Sequence, residues 1–97
     1  MAKGYWICFY RSISNPAAIA EYAKLAGPAI QAGGGRFLAR GTPAKTFEAG
    51  KNERTVVIEF DTVQQATATF EGNAYQAALR VIDGAAERDI RIVEGIT

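Results

Sequence analysis

Six consecutive aromatic or aliphatic residues, Tyr5-Trp6-Ile7-Cys8-Phe9-Tyr10, form the first strong pattern along the chain. They are rich in β-forming side chains and apolar on both parities, which predicts a central strand buried on both faces. Ser14-Asn15-Pro16 then supplies a helix start. Asn15 is suited to cap the helix, and Pro16 sits at its first position, where a missing N–H costs nothing. Ile19, Tyr22, Ala23, Ala26 and Ile30 follow at helical spacing. Gly27-Pro28 predicts a kink or break near Lys24 to Leu25, because the proline ring opposes a carbonyl one turn back. Gly33-Gly34-Gly35 ends the helix.

Arg36 to Arg40 reads as a short, charge-flanked strand of the kind found at sheet edges. Gly41 to Glu53 is a turn-rich connection with a little expected β-structure around Lys45 to Glu48. Thr55 to Phe60 is a third strand, apolar on both parities except at Glu59. Thr62 and Gln65 have the spacing of a capping box, and Val63, Ala66 and Phe70 continue on one helical face. Gly72 interrupts that helix, and a second start at Asn73 carries Tyr75, Leu79 and Ile82 to a stop at Gly84. Asp89 to Glu94 is the last strand. The order β-α-β-β-α-β predicts one α+β domain over residues 1–97, ferredoxin-like, with a four-stranded antiparallel sheet and its helices on one face.

Helices on one face leave the other open. Tyr5, Ile7 and Phe9 alternate with Trp6, Cys8 and Tyr10, and Thr55, Val57 and Glu59 alternate with Val56, Ile58 and Phe60. Whichever set faces away from the helices exposes more contiguous apolar area than soluble monomers usually carry. A homodimer joined through the sheet face covers it. The alternative is a monomer that binds a ligand on that face.

Composition narrows the function classes. With 97 residues, 11 basic and 10 acidic, the net charge is +1, and the basic residues are interleaved with acids. That gives no electrostatic case for nucleic acid or an anionic membrane as partner. No apolar run approaches the roughly 20 residues that span a bilayer. A lone cysteine and a start that runs straight into strand sequence make the cytoplasm the expected compartment. Histidine is absent, which removes the commonest general base and metal ligand, so neither haem nor a tightly held transition metal is expected and no cofactor is called for.

Candidate chemistry centres on Glu59, since a carboxylate in an apolar strand must be paired, solvated or shifted in pKa. Arg36 and Arg40 lie on the strand expected to pair with it. As a site, Arg40 and Glu59 would line a pocket between sheet and helices, or at the mouth of the barrel that two paired sheets would form, with Arg36 beside them and Tyr5, Tyr10 and Tyr75 as walls. As structure, they form an ion pair or meet the dimer partner, and the aromatics are core. Cys8 is expected to be a buried, reduced core thiol. The triple glycine follows a helix and so lacks the helix N-terminus of an anion site.

Gly4-Tyr5-Trp6, Gly34-Gly35-Arg36-Phe37-Leu38, Arg40-Gly41, Val56 to Phe60, Tyr75-Gln76 and Val93-Glu94-Gly95 resemble, in order and spacing, the bacterial family known as domain of unknown function 1330. The resemblance implies a dimeric α+β barrel, formed when the sheets of two chains pair. Its wider relatives include cofactor-free antibiotic-biosynthesis-type monooxygenases, haem enzymes such as chlorite dismutases, and small stress-response proteins. Ala74 stands where the family often has an acid, and Ile82 where it often has arginine; Arg80 lies roughly 200° round the helix from that position. Three functions are compatible with these residues: a small-molecule-binding dimer without a cofactor, a cofactor-independent enzyme of monooxygenase or isomerase type acting on a small carbonyl or phenolic substrate, and a structural or protein-partner module.

Overall fold

The computed structural model describes residues 2–97. The elements run β1 (Gly4–Ile13), α1 (Pro16–Ala32), β2 (Arg36–Gly41), β3 (Thr55–Phe60), α2 (Val63–Glu71), α3 (Asn73–Ile82) and β4 (Ala86–Glu94). The four strands make one antiparallel sheet in the order β2-β3-β1-β4, so β1 is central and apolar runs meet on both its sides. This is the α+β, ferredoxin-like arrangement, with the second crossover divided at Gly72 into two short helices.

Both helix starts use the caps visible in the sequence. Asn15 Oδ1 accepts the Ala18 amide at 3.3 Å, and Thr62 Oγ1 accepts the Gln65 amide at 3.0 Å. The close of α1 needs glycine twice. Gly34 has φ +96°, and a Cβ on Gly35 would stand 2.5 Å from Ile30 and 2.8 Å from the Phe60 ring.

Three boundaries differ from the sequence reading. α1 runs unbroken through Pro28. Lys24, whose carbonyl loses its partner there, lies with Pro28 on the exposed face, where the freed carbonyl is open to solvent, while buried Tyr22, Ala26 and Ile30 hold the opposite face down. Lys45 to Glu48 forms no strand. It ends in a turn in which Glu48 has φ 52° and the Gly50 amide reaches the Phe47 carbonyl at 2.9 Å. β4 begins at Ala86 rather than Asp89, because β1 extends to Ile13 and pairs with it.

The core lies between the sheet and all three helices. Trp6, Cys8 and Tyr10 from β1 and Val56, Ile58 and Phe60 from β3 point into it. Trp6 stacks on Phe60 with centroids 6.1 Å apart and meets Tyr75 edge-on at 4.8 Å. The opposite face carries Tyr5, Ile7, Phe9 and Val57, with Val93 of β4 beside Tyr5.

Phe60 is fully buried, so Phe60→Ala removes a ring from a site that cannot collapse around it. The expected loss is about 3–5 kcal/mol, read from the midpoint of urea unfolding at unchanged slope. A loss below about 1 kcal/mol would contradict this packing.

Candidate functional site

α1 packs chiefly on α3, and α2 lies on β1. A cleft therefore remains between α1 and the β1–β3–β2 half of the sheet. The α1 wall presents Ile19, Tyr22, Ala23, Ala26, Gly27 and Ile30 at helical spacing, and the sheet presents Trp6, Cys8, Tyr10, Phe37, Val56 and Ile58. Ala23, Ala26 and Gly27 are small, which is why the space is there at all. It offers about 40 Å³ of room for the centre of a water-sized molecule, within a concavity of about 450 Å³ open to solvent.

Arg40 and Arg54 complete the lining. Their positions follow from a bulge. Phe37 is opposite Ile58 and Ala39 is opposite Val57, so Leu38 is an extra residue in β2. That extra residue shifts the parity, and Arg40 falls opposite Val56 on the helix side rather than on the outer face. The Arg40 guanidinium lies 4.7 Å from the Phe37 ring centroid. The lining contains no carboxylate, and neither Arg40 nor Arg54 makes an ion pair among the described residues.

Behind the cleft lies a polar cluster that the sequence did not reveal. Arg88 of β4 is opposite Tyr10 of β1 and points inward. It donates through Nη1 to Tyr22 Oη at 3.1 Å and through Nη2 to Tyr75 Oη at 3.5 Å, and Cys8 Sγ is 3.8 Å from Nη1. The two tyrosine hydroxyls are hydrogen-bonded to each other at 2.5 Å. The guanidinium carbon also lies 4.9 Å from the Tyr22 ring and 5.6 Å from the Tyr10 ring. Burial works against the Arg88 charge, but the Tyr22, Tyr75 and Cys8 groups outweigh it and raise the pKa, so the guanidinium stays charged. Burial, followed by the Tyr75 hydroxyl, pushes the Tyr22 phenol up. Burial likewise raises the Cys8 thiol, against the pull of Arg88.

The six candidate residues do not gather in one place. Arg40 and Tyr10 line the cleft. Tyr75 is fully buried behind it, bonded to Tyr22. Glu59, Arg36 and Tyr5 lie on the opposite face of the sheet, so the expectation that Glu59 and Arg40 share a sheet–helix pocket is corrected: strand alternation sends Glu59 outward while the bulge sends Arg40 inward. Glu59 instead accepts Arg36 Nε at 3.0 Å and Tyr5 Oη at 3.1 Å, and Arg36 also bridges to Asp61 at 3.0 Å. The Arg36 hydrogen bond, foremost, holds the Glu59 carboxyl below its ordinary value of 4.5. Arg88 escaped notice because β4 was expected to start one residue after it. Its parity with Ile90 and Ile92 is the signal that would have found it.

A carboxyl whose pKa is lowered on folding contributes stability above its unfolded pKa and loses it as pH falls through the folded one. Glu59→Gln is therefore expected to melt below wild type at about pH 7, with the gap closing toward about pH 3. A gap that is independent of pH would show that the charge on Glu59 contributes nothing.

The fold recurs in solved structures. A protein of unknown function from Rhodopseudomonas palustris is 13% identical, covers 99% of this chain and 84% of its own, and superposes with a TM-score of 0.77. A dimeric ferredoxin-like protein from Thermobifida fusca is 18% identical over 96% of this chain and 91% of its own, with a TM-score of 0.67. A candidate antibiotic biosynthesis monooxygenase from Nitrosomonas europaea is 19% identical over 97% of this chain and 90% of its own, at 0.64. At these identities the likeness is one of fold. No curated protein matches the sequence. The model of the family described as Domain of unknown function (DUF1330) matches residues 3–96, nearly the whole of the chain, and the chain belongs to that family.

Proposed function

We propose that this chain is a small-molecule-binding protein that works as a homodimer and takes a compact, largely apolar ligand bearing an anionic or carbonyl group into the cleft under α1, without a bound cofactor. One observation carries the reading: an apolar concavity is lined by two arginines that have no acidic partner. Small-ligand sites are mostly apolar with a few placed polar groups. An arginine left without a carboxylate supplies charge-assisted donors to an oxygen anion or a carbonyl.

Binding is favoured over catalysis by what the wall lacks. Proton abstraction from a carbonyl or phenolic substrate needs a base within hydrogen-bond reach. The cleft has no carboxylate, the chain has no histidine, and the one thiol, Cys8, has a raised pKa.

The outer sheet face supports the homodimer. Phe9 and Val93 are 38% and 49% exposed there, next to half-buried Tyr5, Ile7 and Val57. The charges on the same face are already satisfied within the chain, Glu59 by Arg36 and Asp89 by Arg91 at 2.7 Å. A second copy can cover them without stranding an unpaired ion.

Light scattering coupled to size exclusion is expected to give about twice the 10.4 kDa chain mass. A monomer at micromolar concentration would remove the sheet-face dimer.

Gly27 lines the cleft, and a Cβ there meets nothing within 4 Å. Gly27→Leu should fill the space; because a residue with a Cβ directly before Pro28 is disfavoured in a helix, the variant is first shown to be folded by its melting curve. In a thermal-shift screen of small carboxylic acids and ketones, compounds that stabilise wild type should fail on this variant. Equal shifts in both proteins, or no hit on wild type, would sink the cleft.

A further inference from the structure

Glu87, Arg88 and Asp89 are consecutive, yet the arginine pairs with neither acid. Glu87 is held by Arg11 at 3.2 Å and Asp89 by Arg91 at 2.7 Å, both on more exposed sides of the strand. Asp83 shares a surface hollow with Arg88 but forms no ion pair with it. Arg88 is thus a half-buried cation whose polar contacts are two phenols and a thiol. Such a charge is normally paired, solvated or neutralised; Arg88 keeps its proton and has no acid partner, and what remains open to it is the hollow it shares with Asp83.

Counting protons sharpens the point. Tyr22 and Tyr75 each accept a bond from Arg88 and share one bond between themselves. The pair has two hydroxyl protons, and the shared bond uses one. The second has no acceptor among the described residues. Tyr75 is fully buried, whereas Tyr22 forms part of the cleft wall. Either hydroxyl can donate the shared bond; when Tyr75 does, the spare proton belongs to Tyr22, a residue of the cleft wall. The cluster has donors and a positive charge in excess, and it lacks an acceptor.

We infer that Arg88, Tyr22 and Tyr75 form an oxyanion-binding end to the cleft, which selects a ligand ionised at a carboxylate or phenolate oxygen over its neutral counterpart. The inference rests on the cleft being the ligand site and adds the class of ligand. Tyr22 supplies the hydrogen bond to the oxygen. Arg88 supplies the charge through Tyr22 and holds the hydroxyl in place, and Tyr75 orients the Tyr22 proton by donating to the same oxygen.

The single tryptophan, Trp6, stands on the cleft wall and reports occupancy by its fluorescence. Cyclohexanecarboxylate and cyclohexanecarboxamide, which do not absorb with tryptophan, are titrated into wild type, Tyr22→Phe, Arg88→Met and Arg40→Ala, each first shown to be folded by its melting curve. Wild type should bind the carboxylate about tenfold or more tightly than the amide, the range of a charge-assisted hydrogen bond. Tyr22→Phe and Arg88→Met should lose that preference and keep their affinity for the amide. Tyr22→Phe removes one oxygen only, so it decides the matter even if Arg88→Met fails to fold. A preference that survives Tyr22→Phe and disappears in Arg40→Ala places the anion at the cleft mouth and overturns the inference. Equal binding of both compounds by wild type also overturns it, and leaves the cleft as the ligand site. No response of Trp6 to either compound overturns the cleft and the inference together.

Discussion

A central strand with large apolar side chains on both parities has to be covered on both faces, and the rest of the molecule follows from how β1 meets that demand. Trp6, Cys8 and Tyr10 carry the bulk, and with Phe60, Ile58 and Val56 across the β1–β3 ladder they take the helices. The outer set is lighter and mixed: Ile7 and Phe9 are paired with Val57 and Thr55, and flanked by ion pairs. Three amphipathic helices can bury one such face and no more. The chain therefore presents an outer surface that is apolar in the middle and internally charge-neutral at its margins, a composition that tolerates burial far better than a face with free ions.

The inner face is not filled evenly, and that unevenness makes the site. α2 and α3 press Ala66, Phe70, Tyr75 and Ala78 against the β1 side. α1 turns three small residues, Ala23, Ala26 and Gly27, toward the β2 side, and only Tyr22 reaches deep enough to meet Tyr75. Close packing normally closes such gaps, since each lost contact costs dispersion energy. Leaving one open next to a charged, donor-rich cluster is a feature with a cost. A bound ligand, as proposed above, would offset that cost.

The pattern of side chains disclosed the strands, both helix caps, the split at Gly72 and the pairing of Glu59 with a β2 arginine, because each depends on residues near in sequence or on simple alternation. It did not disclose the bulge at Leu38, which is what carries Arg40 to the helix side, and it put Glu59 on the wrong face, since alternation sends that carboxylate outward. Bulges arise from pairing across strands, and nothing local distinguishes Leu38 from a regular strand residue. Pro28 was over-weighted for a related reason: a proline's cost depends on whether the freed carbonyl faces water, which is a tertiary fact. Arg88 was lost to a boundary placed three residues late, at Asp89 instead of Ala86, where a charged run masked the alternation that links it to Ile90 and Ile92.

The near-neutral net charge conceals a strong local partition. Arg11, Arg36 and Arg91 spend their charge on Glu87, Glu59 with Asp61, and Asp89, all at the surface or on the outer face. Arg40 and Arg54 line the inner cleft, from β2 and from the residue before β3, with no acid among the cleft residues, while Arg88 of β4 lies behind it, bonded to Tyr22. Alternation enforces the division, because in β4 the outward positions Asp89 and Arg91 neutralise each other while the inward position Arg88 meets only phenols and a thiol. Two arginines without an acidic partner at an apolar concavity favour a positive potential there. A chain with a net charge of +1 can thus hold a locally positive cleft, which is the charge that the proposed anionic ligand requires.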